Sequence, residues 1–400
     1  MSYILLKNQN LTPPETQVYN KLMWELLLKF EGKPVAFDFE TTGLSAISND
    51  IVSVGLANET DSIAIWLEPE DRVPLCKWLT KQQLIAHNYI FDGAFVTKYT
   101  GQVVRPLADT LVLFKTLANE GWTGQSWSLK KAMLDVLGWP EVNNKDLQDY
   151  MDTYKVAMHR VPFDILGKYN ALDAAATYQL WQYLMSFTKQ FPALESFWLE
   201  EWANLEALLI EQHMNGITID VGYYRNYMQE RKAAKDILYA EFIGLVREHI
   251  QEYNRQAHAK LFPPFPEDAK TKKDLSPTKR YLEWLRKEEE SRYAMHFNID
   301  SNKDLCWLIY GQLKFEVAKV TPSGAPSIDK NVLHLFGDYG KKLKAYRKIR
   351  DEMKFIQQIL DDQVKGVVYP NIKIHGTITG RCSSGMERSN GATSDAVTED

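Results

Sequence analysis

The sequence predicts an α/β layer architecture in its first half and a mainly helical region in its second. Two patterns carry this. Three strand-like runs at 34–40, 51–57 and 61–67, rich in Val, Ile, Phe and Trp, follow one another with short polar connections, and helical and strand-like segments then alternate to about residue 190. Beyond Phe191-Pro192 the periodicity becomes almost wholly helical.

In order, residues 15–30 read as an amphipathic helix stopped near Glu31-Gly32, and the three runs suit an antiparallel meander. A helix over 71–81, a short strand at 84–87, a helix from about Phe91, a short segment at 106–110 feeding a helix to Leu117, a helix over 128–137 closed by Gly138 and a helix from about Asp164 to Ser186 complete the first half. Three antiparallel strands followed by this alternation is the order of a ribonuclease-H-like fold, a mixed sheet flanked by helices. In the second half Asn215-Gly216 stops one helix. Residues 262–280 are rich in proline and lysine and read as an exposed loop, and helices resume at 281–295, 301–313, 329–337 and 340–363. The expected organisation is a domain over 1–190, a helical region over 191–384 and a polar, disordered tail over 385–400.

The bulk numbers exclude several classes. The 400 residues suit two or three domains, and a net charge of -5 argues against a uniformly basic nucleic-acid binder, while leaving local charge or bound cations to supply attraction. Cys76, Cys306 and Cys382 are odd in number and far apart, so neither a disulfide framework nor a zinc ribbon is expected. No signal-like amino terminus and no run of about 20 apolar residues is present, so an intracellular protein, cytoplasmic and without a membrane partner, is expected.

Chemistry enters with Asp38-Phe39-Glu40. Side chains alternate along a strand, so Asp38 and Glu40 share one face while Phe39 turns into the core. The Thr41-Thr42-Gly43-Leu44 turn that follows exposes small polar groups and one apolar side chain. Asn88 and Asp92 are four apart, as are Tyr169 and Asp173, and such pairs share a helix face. Four acids drawn from three segments repel one another. Two divalent cations, Mg²⁺ or Mn²⁺, would offset that charge and serve phosphodiester cleavage, and an all-oxygen donor set favours them over zinc. Tyr169, with an ordinary pKa of about 10, suits contacting or orienting the attacking water rather than acting as a base. Each pattern alone is common; the three together, in order across about 135 residues, are not.

D-F-E-T-T-G-L (38–44), A-H-N-Y-I-F-D (86–92) and Y-N-A-L-D (169–173) resemble the three motifs of the DEDDy exonucleases, which include the proofreading domain of family A DNA polymerases, and the compact spacing is phage-like. The resemblance implies that Asp38, Glu40, Asp92 and Asp173 bind the metals and that Tyr169 positions the nucleophilic water. It also implies that Leu44 wedges against the terminal base and Asn88 supports the 3′ end of the strand, with Thr41 a further substrate contact. Ala108-Asp109-Thr110 and Ser128-Leu129 match secondary landmarks, Asp109 being read as structural.

Further matches follow at 208–220, 297–305, 345–354 and 375–384, where H-G-T-I-T-G-R-C-S-S is similar to the family's T-x-T-G-R-x-S-S run, so the resemblance reaches Ser384 through a thumb-like region. Residues 341–354 hold seven Lys or Arg and two acids, a balance suited to tracking phosphates. Arg347 and Arg381 are the candidate DNA contacts there, Thr379 and Gly380 permitting close backbone approach. The family's palm and fingers motifs do not follow. The expectation is therefore the amino-terminal portion of a polymerase, without a polymerisation centre, acting alone or beside a separate palm and fingers chain. The expected activity is removal of nucleoside monophosphates, one at a time, from the 3′ end of single-stranded DNA or a frayed primer-template, with slight sequence preference. Two alternatives are an RNA-trimming nuclease of the ribonuclease D type, which would leave the thumb-like helices unexplained, and a non-catalytic DNA-binding scaffold, which would leave the intact acids unexplained.

Overall fold

The apolar runs assemble into a sheet of six strands: β1 (Ile4–Leu6), β2 (Pro34–Thr41), β3 (Ile51–Ala57), β4 (Ser62–Trp66), β5 (Gln83–Ala86) and β6 (Ala108–Asp109), in spatial order β1-β4-β3-β2-β5-β6. β2, β3 and β4 form the expected antiparallel meander; β1 joins β4, and β5 and β6 extend the other edge, all in parallel. β1 was not anticipated. Helices cover both faces: α1 (Pro13–Leu27), α2 (Pro69–Leu79) and α3 (Tyr89–Thr100) one, and α4 (Thr110–Ala118), α5 (Leu129–Asp135), α6 (Lys145–Tyr154) and the long α7 (Phe163–Thr188) the other. Strand alternation sorts the core. Phe37 and Phe39 pack with Phe30, Tyr89 and Phe95 on the first face, while Ala36, Ala57 and Ile85 meet Ala174, Ala175 and Leu180 on the second. Asp38 and Glu40, in register with Ala36, therefore face α7.

The computed structural model describes residues 3–7, 13–118, 127–139, 145–271, 276–374, 376 and 381–386. The chain divides into two units, one of residues 1–219 with 361–400 and one of residues 220–360. The first unit thus runs past the boundary expected near residue 190. α8 (Pro192–Phe197) and α9 (Ala203–Asn215), joined through a π-helical turn, stay with the sheet domain. Ile210 of α9 enters the core beside Tyr89, and Trp198 donates its indole N–H to the Leu107 carbonyl at 2.9 Å. β7 (Ile217–Thr218), just beyond the Gly216 stop, pairs with β8 (Val367–Val368) on the returning chain. β9 (Pro370–Lys373) then pairs antiparallel with β10 (Ser383–Met386), so residues 385 and 386, expected in a disordered tail, lie in a strand. Thr379, Gly380 and the tail from 387 lie outside the described residues.

The second unit is helical, with α10 (Val221–Leu245), α11 (Arg247–Leu261), α13 (Asn302–Cys306) and α14 (Gly337–Asp362) around Phe242, Ile250, Phe297, Leu305, Phe336 and Leu343, and α12 (Lys279–Arg292) against α11. The helix expected over 329–337 is only a 3₁₀ turn, Leu333–Phe336. Asp329 accepts the Asn331 N–H at 2.8 Å and pairs with Lys319, a local turn that competes with helix. No helix among the described residues is long and apolar enough to cross a membrane, and the three cysteines are free.

Candidate active site

β5 stops at Ala86, pairing with β2 only as far as Ala36. The far end of β2 is thus open on that side, and Asp92, in the first turn of α3, fills the gap: its Oδ1 accepts the Phe39 N–H at 3.0 Å. Asn88, just before α3, has φ 74, a left-handed conformation that asparagine tolerates better than most residues. Its N–H and that of Tyr89 are accepted by Asp109 at 3.0 and 2.7 Å, and the same carboxylate takes the Leu111 N–H at 2.8 Å. Asp109 thereby caps the starts of both α3 and α4, in keeping with its structural reading.

α7 brings the remaining groups. Asn170, fully buried, donates to the Asp38 carbonyl at 3.0 Å and to Asp38 Oδ2 at 2.9 Å, and accepts the Ser53 hydroxyl at 3.0 Å. Gly55 of β3 permits this approach, since a Cβ there would run into the Asn170 carbonyl. One turn on, Asp173 is buried and its Oδ1 has no hydrogen-bond partner, while its carboxylate receives the Tyr169 hydroxyl.

The cluster is strongly self-repelling. Burial and then the Asp173 carboxylate push Asp38 up to about 8, against Asn170 and Lys130. Burial followed by Asp38 raises both Glu40 and Asp92 well above the carboxylate range, and burial lifts Asp173 to about 6. Burial and the neighbouring Asp173 also push the Tyr169 phenol up, so it stays neutral. The donors are all oxygen, the repulsion is only partly offset by Lys130 and Asn170, and Asp173 Oδ1 has no hydrogen-bond partner, a chemistry that fits divalent cations. Among the described residues no three such side chains form a ready-made metal cage.

The structure brings Asp38, Glu40, Asp92, Tyr169 and Asp173 together. Thr41 turns its hydroxyl onto the Gly43 carbonyl at 2.7 Å, whereas Leu44 and Asn88 are exposed. Arg381 is exposed just before β10. Arg347 is turned into its own unit, donating to the Ile328 carbonyl, and burial followed by Arg350 holds its pKa below the usual value. That is not the outward phosphate contact the sequence suggested. Sequence reading missed Asn170 and Lys130, which lies with its Nζ 4.9 Å from the centre of the Tyr169 ring. Asn170 sits inside a quoted motif, but its partners Ser53 and Asp38 are 117 and 132 residues away.

A six-stranded mixed sheet flanked by helices, with buried acids at the end of β2 and on α3 and α7, is a ribonuclease-H-like architecture. Residues 16–189 match the family model described as 3'-5' exonuclease, and that part of the chain is similar to the exonuclease domains of family A DNA polymerases. The chain is 25% identical over 280 residues to a DNA polymerase of Bacillus phage SP01, covering 65% of this chain and 28% of the relative. It is 26% identical over 229 residues to DNA polymerase I of Chloroflexus aurantiacus, covering 53% and 24%. It thus spans about a quarter of the length of these relatives. Among solved structures it is similar to the POL domain of Pol1 from M. smegmatis in complex with DNA primer-template and dNTP, with a TM-score of 0.55, 17% identity and coverage of 91% of this chain and 53% of that one, a likeness of fold.

Proposed function

We propose that the first unit removes nucleotides from the 3′ end of DNA by two-metal phosphodiester hydrolysis, as the proofreading activity of a family A DNA polymerase. The observation that carries this reading is the convergence of four mutually repelling acids on the end of β2 inside the family-matched segment.

Asp38, Glu40, Asp92 and Asp173 would hold the divalent cations. When bound, these ions supply positive charge to the attacking and leaving oxygens of the phosphodiester. Tyr169, neutral and anchored to Asp173, orients the attacking water through its hydroxyl oxygen. Asn170 holds Asp38 by backbone and side chain, so the β2 acid keeps its direction as α7 is loaded. Leu44, exposed on the turn after β2, is suited to wedging under the terminal base, and Asn88 and Thr41 to steadying the terminal nucleotide. Arg381 is a candidate backbone contact outside this cluster.

The test is a gel assay of 5′-labelled primer-template, single-stranded DNA and RNA oligonucleotides with Mg²⁺, with and without nucleotides. A ladder of shortened DNA products that disappears in EDTA and in Asp38→Ala/Glu40→Ala supports the reading. Cleavage persisting in that variant refutes the site, and preference for RNA refutes the substrate.

A further inference from the structure

One ammonium faces the acids without being part of the three motifs. Lys130, in the first turn of α5, is exposed, and its Nζ sits over the Tyr169 ring. Its charge reaches Asp38, Glu40 and Asp173 and favours their ionised forms. Among the described residues it has no carboxylate within ion-pair distance, whereas Lys131 beside it pairs with Asp135 at 3.0 Å.

Two facts about this placement matter. The ring holds the ammonium by its face, a contact that orients a cation while leaving its N–H donors free. The same ring carries the hydroxyl that faces Asp173, so the cation stands beside the place where the scissile phosphate must lie if Tyr169 orients the water. A strand entering this site meets a strongly negative cluster. A lysine on its rim offers the strand a positive charge that takes no ligand away from the acids.

We propose that Lys130 is a substrate-binding residue of the exonuclease site, its ammonium contacting a non-bridging phosphate oxygen at the 3′ end of the bound strand. This rests on the exonuclease reading above. A single lysine–phosphate contact adds about 0.7 to the slope of log affinity against log salt for single strands, and it depends on charge more than on side-chain shape.

The experiment compares the full chain with Lys130→Met and Lys130→Arg. Binding of a fluorescein-labelled oligodeoxynucleotide is followed by anisotropy in EDTA across a salt series, and single-turnover cleavage is followed in Mg²⁺. The expected result is about tenfold weaker binding and a shallower salt slope for Lys130→Met, with a higher KM and most of the loss restored by Lys130→Arg. Melting temperature should be unchanged because the side chain is exposed. An unchanged salt slope and KM in Lys130→Met would overturn the proposal. So would a fall in kcat alone that arginine does not rescue, which would make Lys130 a positioning residue for Tyr169. If the unaltered chain cleaves nothing while still binding DNA in a Lys130-dependent way, the exonuclease reading fails and the contact stands.

Discussion

Asp38 is held at three points, its own strand and two hydrogen bonds from Asn170, whereas Asp173 keeps a bare oxygen. Under the proposed metal-dependent reaction, this asymmetry would separate a fixed ligand from one that waits for a cation. Asn170→Ala should therefore lower cleavage by roughly 10–100-fold, the usual cost of losing a partner that orients a metal ligand, and the Mg²⁺ dependence of single-turnover rates would reveal it as a higher half-saturating concentration. Tyr169→Phe should slow cleavage while leaving oligonucleotide affinity near that of the unaltered chain; equal losses in rate and affinity would argue against water positioning. The acids and Tyr169 were legible because each recurs at a spacing that puts it on one face of a strand or helix. Asn170 and Lys130 were not, because their roles depend on which surfaces meet, and spacing along one segment does not encode that.

The helices and strands owe their positions to a few tight approaches. α7 lies on β3 at Gly55, so Gly55→Ala should cost about 1–3 kcal/mol through overpacking and shift Tyr169 and Asp173 together, read as a lower melting temperature and a loss of cleavage. α9 is attached differently. Glu206 is fully buried, and the group its carboxyl meets is the carboxylate of Asp109, the cap of α3 and α4, with which it is in side-chain hydrogen-bond contact. Burial and then Asp109 raise its pKa well above that of the unfolded chain. The folded state therefore holds this proton more tightly. The resulting stabilisation is complete below the unfolded value of about 4.3 and fades as pH rises towards and through the folded value. Glu206→Gln should consequently melt higher than the unaltered chain at pH 8, by roughly 2–4 °C for each kcal/mol relieved, and lose that advantage near pH 5. Most elements were legible from periodicity. β1, of three residues, and β7 to β10, of two to four, are too short to show a period and exist because a partner strand lies alongside. α6 went unread although it is amphipathic, because its apolar residues are spaced among many acids and polar groups.

For the molecule as a whole, the sequence correctly announced an α/β half and a helical half, yet it placed the seam near residue 190. The structure interrupts the first unit between Ile219 and Asp361. The two ends of that interruption are adjacent, the Ile219 N–H donating to the Gly366 carbonyl at 2.9 Å and β7 pairing with β8. Replacing 220–360 by a short flexible linker should thus leave a folded first unit that still degrades single-stranded DNA within about tenfold of the full chain, since a loop of changed length alters closure entropy only slowly. Loss of the fold in that variant, seen by circular dichroism, would mean that the helical unit is needed for the other's stability.

The same interruption sets a timetable for synthesis. On a ribosome adding about 5–20 residues per second, the 148 residues from 219 to 366 separate the emergence of β7 from that of β8 by roughly 7–30 s. During that interval the six-stranded sheet is complete, but the His213 ring, which hydrogen-bonds the Pro370 carbonyl at 3.1 Å, has yet to meet that acceptor. Until the last strands arrive, α9 is held to the sheet by contacts already synthesised, among them Ile210 and Leu209 in the core and the Trp198 indole just before it.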